Sequence, residues 1–539
     1  MTFPRRRTRW LLLALLASAV VVALPGARQA AAATTLRVPQ DFPTIQAAID
    51  AAVAGDTVSV SPGTYVERID YQQKAITVES TDGPATTIID GNQAGGVVRI
   101  VANAGETPVL RGFTIRNGTD PFFGDGAGIS TTGGPALIEG NRVTGNAGCA
   151  GSGIAAEFSS ATIRGNVVSG NHPSGCSGGT GGGGILIGGD GTVKVLGNTI
   201  TGNATAADGG GISLFAAGTP TISGNVISGN TAEVGRNGGG ISLLNASDAL
   251  ITNNFISGNT GAEGGGIYWL VPSGQPGPNV VDNTIADNSA GRGSALFPDG
   301  FDAATQVTNN VLVGSGAAAV VDCGDFNDPN PPVIAFNDVF NAGSGTAYGG
   351  ICSDQTGQNG NISADPRFVD PATGNYHLRA GSPAIDAGRN DGAPATDIDG
   401  DQRPIDGNGD GVAVVDMGAD EARAGGDTTP PTITCTASPN TLTPPNHKLR
   451  QVSVGIAASD DSGSVTVTLV SVTSSQPDSG LGRDDVPKDI QGWTAGTDDR
   501  SGLLRAERFR TTRVYTLTYR ASDPAGNTAT CSTTVKVPR

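Results

Sequence analysis

The sequence predicts an all-β protein in which a right-handed parallel β-helix is followed by a small β-sandwich, and three observations carry this prediction. Glycine accounts for 82 of the 539 residues, whereas charged residues make up 15 % and aromatic residues 5 %, a composition that excludes helical bundles and coiled coils. A block of about 28 residues recurs through the middle of the chain. After about residue 428 the composition changes to alternating Thr, Ser and Val.

Residues 1–33 are predicted to be a secretory signal peptide. Arginines within 5–9 precede an apolar run of 15 residues at 10–24, and small residues at 30–33 offer A-x-A cleavage sites. The alternative is a membrane anchor, but a spanning helix needs about 20 apolar residues. We therefore expect a secreted protein, extracellular or at the cell surface, with no transmembrane segment after cleavage.

The formal net charge of −17 and the three histidines limit the partners of this chain. An acidic surface repels nucleic acid and concentrates hard cations such as Ca²⁺, and so few histidines argue against zinc chemistry. We expect a monomer whose partner is a polysaccharide or a cell-surface protein, with Ca²⁺ as the candidate cofactor.

The repeat is visible in short blocks such as GNTITGN, GNVISGN and NNFISGN, whose second residue is always Asn. A Gly-rich lead into an apolar strand, such as GGGISLF, lies between the blocks. Each period therefore offers three short β runs: one after the glycines, one at 220–223 and one at 226–228 in a representative period. The Asn residues recur at steps of 25 to 32 residues: Asn141, Asn166, Asn198, Asn225, Asn254, Asn283, Asn310 and Asn337.

Three short strands per turn, punctuated by Gly and Asn, are typical of a right-handed parallel β-helix, whose coils stack about 4.8 Å apart. A run of isolated hairpins is the alternative. Asn at one angular position can hydrogen-bond to the equivalent Asn of the next coil, and it tolerates the left-handed bend between strands. An exposed first coil needs protection, and residues 44–54 have the helical spacing to cap it.

The six cysteines fit this repeat, although the sequence alone allows 15 connectivities. Two pairs are 27 and 29 residues apart, each close to one coil, and a third pair brackets the last domain. Equivalent positions in successive coils lie about 5 Å apart, within the Cα separation of a disulfide. The predicted disulfides are Cys149–Cys176, Cys323–Cys352 and Cys435–Cys531.

Three segments resemble known families. VPQDFPTIQAAIDAAVAGDTVSVSPGTYVE at 38–67 resembles the entry of the pectin-lyase-like β-helix superfamily, and NISADPRFVDP through VDMGADE at 361–421 resembles the choice-of-anchor Q domain of secreted bacterial β-helix proteins. The chain after residue 428, ending in AGNTATCSTTVKVP, resembles bacterial Ig-like domains of the hyalin-repeat type. These resemblances imply a bacterial extracellular protein with three parts: a β-helix at 36–395, an acidic closing segment at 396–425 and an Ig-like β-sandwich at 430–539.

The run 397–421 is the strongest candidate metal site. Its many carboxylates face Arg403 alone, and like charges this close repel unless they are neutralised. Residues within 406–411 match positions 1, 3, 5 and 6 of a calcium loop, although Met417 at position 12 excludes an EF-hand. The alternative is a solvated acidic turn. The predicted calcium ligands are Asp397, Asp399, Asp401, Asp406, Asn408, Asp410 and Asp416.

A second candidate site is a polar ladder, four residues before each strand that follows the glycines. Stacked coils would align the ladder in one row, and two aromatic residues lie just beyond it, where an aromatic face can stack on a sugar ring. The alternative is a set of polar loops beside the core. The ladder consists of Asp125, Asp208, Asn237 and Glu263, with Arg292 in the same place. The predicted carbohydrate-binding residues are Asp208, Asn237, Glu263, Tyr268 and Trp269.

The sequence contains no complete catalytic motif of the carbohydrate-active β-helices, because GHG, RIK and DPHE-like elements are absent. Lys194 and Arg164 are candidate bases for a calcium-assisted lyase, and the alternative for each is a side chain that points to solvent. We therefore predict recognition of a polysaccharide or a partner protein without catalysis. The alternative is a polysaccharide lyase or glycoside hydrolase acting on acidic, pectin- or alginate-like polysaccharide, and a fold alone does not decide between them.

Overall fold

The computed structural model describes residues 33–120, 126–175, 181–272, 274–300, 305–326, 332, 334–423, 430–460, 465–479, 485–523 and 526–539. Residues 1–32 of the predicted signal peptide, Asp125 and Cys176 lie outside the described residues. The chain winds through three parallel sheets of 12, 11 and 11 strands, and neighbouring strands in each sheet come from successive coils. The predicted parallel β-helix is confirmed.

Each coil passes through the three sheets in a fixed order. The first sheet contains Thr35–Val38, Thr57–Val60, Thr77–Ser80, Val109–Arg111, Leu137–Glu139, Thr162–Arg164, Lys194–Leu196, Thr221–Ser223, Leu250–Thr252, Asn279–Val281, Val307–Thr308 and Ile334–Ala335. The second sheet contains Gly63–Val66, Thr87–Asp90, Thr114–Arg116, Arg142–Thr144, Val167–Ser169, Thr199–Thr201, Val226–Ser228, Phe255–Ser257, Thr284–Ala286, Val311–Gly314 and Asp338–Asn341. The third sheet contains Ile69–Asp70, Val98–Ala102, Ile129–Gly133, Ile154–Ser159, Ile185–Gly188, Ile212–Phe215, Ile241–Leu244, Ile267–Leu270, Leu296–Asp299, Val321–Cys323 and Tyr348–Gly350. Shorter parallel pairs join Thr119–Asp120 to Ala147–Gly148 and Ala204–Thr205 to Thr231–Ala232.

The core of the β-helix consists of stacked aliphatic side chains. Alternate residues of a strand face opposite sides of a sheet, so each short strand points one or two side chains inward. Three fully buried isoleucines, one from each sheet, lie in register with isoleucines of the next coil: Ile212 with Ile241, Ile222 with Ile251, and Ile227 with Ile256.

The predicted Asn stack is confirmed, and it forms two parallel ladders. In the first ladder the side-chain amide of each Asn donates to the side-chain oxygen of the Asn one coil later, as from Asn225 to Asn254 at 2.9 Å. This ladder continues one step past the sequence prediction, from Asn337 to Asn361 at 3.2 Å. The second ladder runs through Asn146, Asn171, Asn203, Asn230, Asn259 and Asn288.

A short helix covers the first coil, as predicted. Ile45–Ala51 is α-helical, and the hydroxyl of Thr44 caps it by accepting a hydrogen bond from the N–H of Ala47. The buried face, which includes Ile49, packs into the β-helix core. The Glu67 carboxylate accepts the N–H groups of Ile45 and Gln46, each at 2.9 Å, so the first coil holds the start of the helix.

Residues 364–423, called here the docked segment, follow the last coil. They contain the antiparallel pair Phe368–Asp370 and Asn375–Leu378, joined by the 3-10 helix Pro371–Thr373. The sequence predicts a β-helix that extends to residue 395. In the structure, the last parallel pairing of the coils joins Asp338 to Ile362. The docked segment lies beside the coils and buries a separate apolar cluster against the second sheet, formed by Phe255, Ala286, Val311, Val313, Tyr376, Leu378, Ala384, Ile385, Met417 and Ala419.

The C-terminal region forms two antiparallel sheets around their own apolar core, consistent with an Ig-like sandwich. One sheet contains Thr432–Ser438, Leu449–Ser459, Ser501–Arg505 and Ile490–Gln491. The other contains Thr466–Ser474, Arg513–Ser522 and Thr528–Val537.

Two of the predicted disulfides are confirmed. Cys323–Cys352 joins successive coils with its Cα atoms 5.3 Å apart, and Cys435–Cys531 joins the two sheets of the sandwich with its Cα atoms 5.9 Å apart. The predicted Cys149–Cys176 pair includes a residue outside the described part of the chain. Two disulfides fit an extracellular protein. Within the described ranges, no helix has the length and apolar character needed to cross a bilayer.

Candidate functional site

The corner between the first and second sheets differs between early and late coils. In early coils a glycine with positive φ precedes each ladder Asn, for example Gly197 (φ 59°) and Gly224 (φ 66°). In late coils the same corner is occupied by Asn253 (φ 53°), Asp282 (φ 54°) and Asn309 (φ 57°). Asn and Asp adopt this left-handed conformation more readily than other residues with side chains. These three corners therefore present a polar side chain where the early corners present none, and the next corner carries Phe336 (φ 55°).

These corner side chains bind the docked segment. The Asn253 amide donates to the carbonyl of Thr396 at 2.6 Å. The Asn309 amide donates to the carbonyl of Arg389 at 2.9 Å, and its oxygen accepts the Arg389 N–H at 2.9 Å. The replacement of Gly by Asn or Asp in the repeat is the sequence signal that would have located this contact.

Arg403 anchors the docked segment from within. Its side chain is 1 % exposed, and Nη1 lies 3.3 Å from the Asp282 carboxylate and 3.1 Å from that of Glu421, while Nη2 donates to the carbonyl of Gly418 at 2.8 Å. Burial raises the pKa of Asp282 to about 7, although the charge of Arg403 opposes the shift. Burial likewise raises the pKa of the predicted calcium ligand Asp416, whose carboxyl accepts backbone N–H groups.

A second buried charge cluster surrounds His377, a residue that the sequence analysis did not single out. His377, Asp399 and Asp420 place ligand-type atoms within 4.8 Å of one another. The ring Nε2 lies 2.6 Å from Asp399, and Nδ1 lies 2.6 Å from the side-chain oxygen of Asn375. Burial lowers the pKa of His377, but Asp420 and Asp399 outweigh burial and raise this pKa to about 9. Both ring nitrogens of the protonated imidazole donate, Nε2 to Asp399 and Nδ1 to Asn375.

The predicted ligand Asp397 borders this cluster. Its carboxylate accepts the N–H groups of Asp399, Asp401 and Glu421 at 2.8 to 3.0 Å. Burial raises the pKa of Asp397 to about 7, and the charges of Asp420 and Asp399 add to the shift. These hydrogen bonds of the Asp397 carboxylate stabilise the loop that carries it.

The calcium-like loop closes on itself. The Asp406 carboxylate accepts the N–H groups of Gly409, Asp410 and Gly411 at 2.7 to 3.1 Å, and the Asn408 side chain accepts the Asp410 N–H at 2.8 Å. Both oxygens of Asp406 are therefore engaged by backbone donors. The predicted ligand Asp401 forms an ion pair with Arg423 at 2.7 Å. The predicted calcium ligands thus fall into three groups, and calcium binding stays a prediction. The groups are Asp397, Asp399 and Asp401 in one loop, Asp406, Asn408 and Asp410 in another, and Asp416 beside Arg403.

The predicted polar ladder forms one row at the corner before the third sheet. The Asp208 carboxylate accepts the N–H of Asn237 at 2.7 Å, and the Asn237 side chain accepts the N–H of Glu263 at 3.1 Å. Glu263 lies 3.4 Å from Arg292, which lies 2.8 Å from Asp322. Burial raises the pKa of Asp208. These ladder atoms therefore already hold one coil to the next.

The two aromatic residues predicted to stack on a sugar are inaccessible, which corrects the prediction. Trp269 is fully buried in the core, and its indole N–H donates to the carbonyl of Gly300 at 3.0 Å. Tyr268 faces outward but is 5 % exposed, and its ring stacks on that of Phe297 with centroids 5.7 Å apart. Neighbouring residues of a strand face opposite sides, so Tyr268 and Trp269 do not share one surface.

An exposed aromatic pair lies elsewhere on the outer face of the third sheet. Phe158 is 69 % exposed and has φ of 48°, at the strand end where the next coils carry Gly189, Ala216 and Asn245. A Cβ atom at Gly189 would lie 2.4 Å from the Phe158 ring, so the glycine makes room for it. Phe215, 39 % exposed, lies two coils beyond, about 10 Å further along the stack, in register with Glu157, the residue before Phe158. A bulky residue in the left-handed region is a signal that the sequence analysis missed.

The two candidate lyase bases lie on the first sheet. Arg164 lies 2.7 Å from Glu139 in an ion pair. Lys194, in register with Thr162, is exposed and forms no ion pair within the described ranges. A lyase site needs a base and charge-stabilising groups that converge on one point, and the described surroundings of these two residues supply no such convergence.

Comparisons with known proteins agree with the fold. Residues 69–227 and 179–330 match the family model "Right handed beta helix region". No curated protein matches the sequence. Two solved chains match: the PL6 family alginate lyase AlyGC, with a TM-score of 0.36 and 15 % identity over 62 % of this chain and 54 % of the lyase, and the A-module of the Azotobacter vinelandii mannuronan C-5 epimerase AlgE6, with a TM-score of 0.34 and 16 % identity over 60 % of this chain and 94 % of that one. The chain thus spans about half the length of the lyase. The family match and the coil-to-coil strand pairing together identify residues 69–330 as a right-handed parallel β-helix.

Proposed function

We propose that this protein is a secreted, non-catalytic β-helix protein that binds polysaccharide along the outer face of its third sheet. The observation that carries the proposal is the pair of exposed rings, Phe158 and Phe215, on one face of the stack. Apolar sugar faces stack on aromatic rings. The two-coil spacing of about 10 Å is close to the length of a disaccharide, so one chain running along the stack could contact both rings.

The backbone of Phe158 supports a functional role for its ring. A bulky residue at φ 48° is strained, and such strain persists where the surroundings determine the conformation. The ring lies on Gly189, while 69 % of the residue remains exposed to solvent. Aromatic surface that stays exposed contributes no hydrophobic free energy to folding. A ligand that covers this surface would bury it and gain that free energy on binding.

The test is binding to a panel of insoluble and soluble polysaccharides, with the double variant Phe158→Ala/Phe215→Ala. We expect binding to fall about tenfold or more, because two ring contacts are lost. Val234, fully exposed on a loop, supplies the control, since Val234→Ala removes apolar surface elsewhere. Binding that is unchanged in the double variant would refute the proposed surface.

The same samples test catalysis. Incubation with pectate and alginate in the presence of Ca²⁺ is expected to yield neither unsaturated products nor new reducing ends. Turnover that is lost on Lys194→Ala would instead support a lyase. Binding of a cell-surface protein but of no polysaccharide would replace the proposed ligand class.

A further inference from the structure

A cleft of about 490 Å³ opens on the outer face of the third sheet in the first coils. Arg68, Gln93, Arg99, Thr119 and Ser130 contribute to its lining. Arg99 is the outward-facing residue of its strand and lies in register with Ser130 on the next coil. The cleft therefore lies on the same sheet face as the Phe158 and Phe215 rings, nearer the start of the stack.

Two guanidinium groups face this cleft, and one of them has no partner. Arg68 forms no ion pair or hydrogen bond within the described chain, whereas Arg99 lies 3.1 Å from Asp70 in an exposed pair. An exposed pair of this kind contributes little to stability, so Arg99 is available to exchange its partner. Asp120 also lines the cleft, but it is only 6 % exposed.

A glycine makes room for the guanidinium of Arg68. The Nη1 atom of Arg68 lies 2.3 Å from where a Cβ of Gly95 would stand, and Gly95 has φ of 138°. The guanidinium thus lies directly against the backbone of the 91–96 loop, at the wall of the cleft. In a chain of net charge −17, an arginine that lines a cleft and has no ion pair among the described residues is a local exception to the surrounding charge.

We infer that this cleft binds an anionic group of the polysaccharide, a carboxylate or a sulfate ester, through Arg68 and Arg99. The inference rests on the proposed function and adds the charge class of the ligand. Guanidinium groups recognise oxyanions by paired N–H···O bonds, which lysine does not provide. Thr119 and Gln93 supply neutral polar groups beside the charge.

The experiment compares ligands that differ only in charge. Oligogalacturonate and its fully methyl-esterified form share one backbone, as do dextran sulfate and dextran. We expect the wild type to bind at least one anionic ligand about tenfold or more tightly than its neutral counterpart, and Arg68→Gln/Arg99→Gln to abolish that preference. The arm that shows the preference tells whether the group is a carboxylate or a sulfate ester.

Arg37→Gln/Arg142→Gln is the matched control, because it removes two exposed arginines for which the described part of the chain supplies no ion pair. It should keep the preference for the anionic ligand. A preference that survives Arg68→Gln/Arg99→Gln, or falls equally in the control, overturns the inference. Equal binding of charged and neutral ligands that still depends on Phe158 overturns the inference and leaves the proposed function standing. Absence of binding to all four ligands overturns both.

Discussion

The early and late coils share one backbone design and differ in what covers their second sheet. Around Asn198 and Asn225 a glycine turns each corner, and Val226 on the second sheet is 38 % exposed. Around Asn283 and Asn310 an Asp or Asn turns the same corner with nearly the same φ, and the docked segment covers the sheet. The backbone of the coil thus tolerates either residue, and the late corner side chains add hydrogen bonds to the segment that is docked there.

The comparison also separates two kinds of polar contact. The Asn ladders use uncharged amides that satisfy one another from coil to coil. The docked segment instead uses charged groups, and acidic side chains outnumber the single cation around both Arg403 and His377. The ladders therefore join successive coils from Asn141 onward by one repeated contact, whereas the docked segment combines an apolar cluster with a few charged contacts.

Loss of Arg403 should produce the largest effect. Arg403→Met leaves Asp282 and Glu421 buried without a cation, which costs about 3–5 kcal/mol. Urea unfolding measures the loss, and limited proteolysis should find 364–423 newly cleaved. The control is Arg423→Met, because Arg423 is half exposed in its pair with Asp401 and contributes about 0–1 kcal/mol. Equal effects of the two variants would show that Arg403 is not the anchor.

A break in the shared ladder should come second. Asn225→Ala removes donors to Asn254 and to the carbonyl of Val195, and leaves the N–H of Asn198 unpaired inside the stack. We expect a loss of about 3 kcal/mol, since each buried group left unsatisfied costs about 1–3 kcal/mol. Ser228→Ala, at a half-buried hydroxyl of the same coil, is the control. A change below about 1 kcal/mol in calorimetry would contradict the ladder's role.

The pH dependence at Asp338 is expected to be somewhat smaller. Burial raises the pKa of Asp338 to about 7, against about 3.9 for an unfolded chain, while its carboxyl accepts the N–H of Ala364. The folded state thus binds the proton more tightly, so its contribution to stability is present at low pH and is lost as pH rises through 7. Between pH 5 and 8 the loss is about 2.6 kcal/mol. We expect Asp338→Asn to reduce the change in melting temperature between pH 5 and 8. A pH profile equal to that of the wild type would contradict the raised pKa of Asp338.

The corner exchange should have the smallest effect and tests the comparison most directly. Asn253→Gly keeps the left-handed corner but deletes the bond to Thr396, which should weaken docking by about 1 kcal/mol. The reverse exchange, Gly224→Asn, places a side chain where no segment is docked and should change stability by less than about 1 kcal/mol. Hydrogen exchange at residues 389–403 reports the first change. If both exchanges act alike, the corner residue does not govern docking.

The sequence predicted the coils well because their rules are local and repeated. The positions of Ile222, Asn225 and Ile227 recur with fixed offsets through the coils that contain the Asn ladder, and each one contacts its own equivalent in the next coil. A repeat of this kind carries its tertiary contacts in its own period. The pairing of Cys323 with Cys352 followed from the same register.

The sequence predicted the sites less well because a site depends on the direction in which each side chain points. Trp269 and Tyr268 are adjacent in the chain, yet one enters the core and the other faces outward. The spacing of the carboxylates at 397–421 predicts one cluster. In the structure, the Asp406 carboxylate instead accepts backbone N–H groups of its own loop, and Asp416 is buried in the interior. Spacing in a loop does not specify which way each side chain points.

By itself, the sequence determined the β-helix, its Asn ladders, the helix that caps the first coil and the register of the Cys323–Cys352 disulfide, because each rests on contacts between repeats of one pattern. Only the tertiary structure decided that residues 364–423 fold back onto the second sheet, that Arg403 meets Asp282 across 121 residues of chain, and that Arg68 lines a cleft with no ion pair among the described residues. Such contacts join segments that share no period, so their geometry exists only once the whole chain has folded.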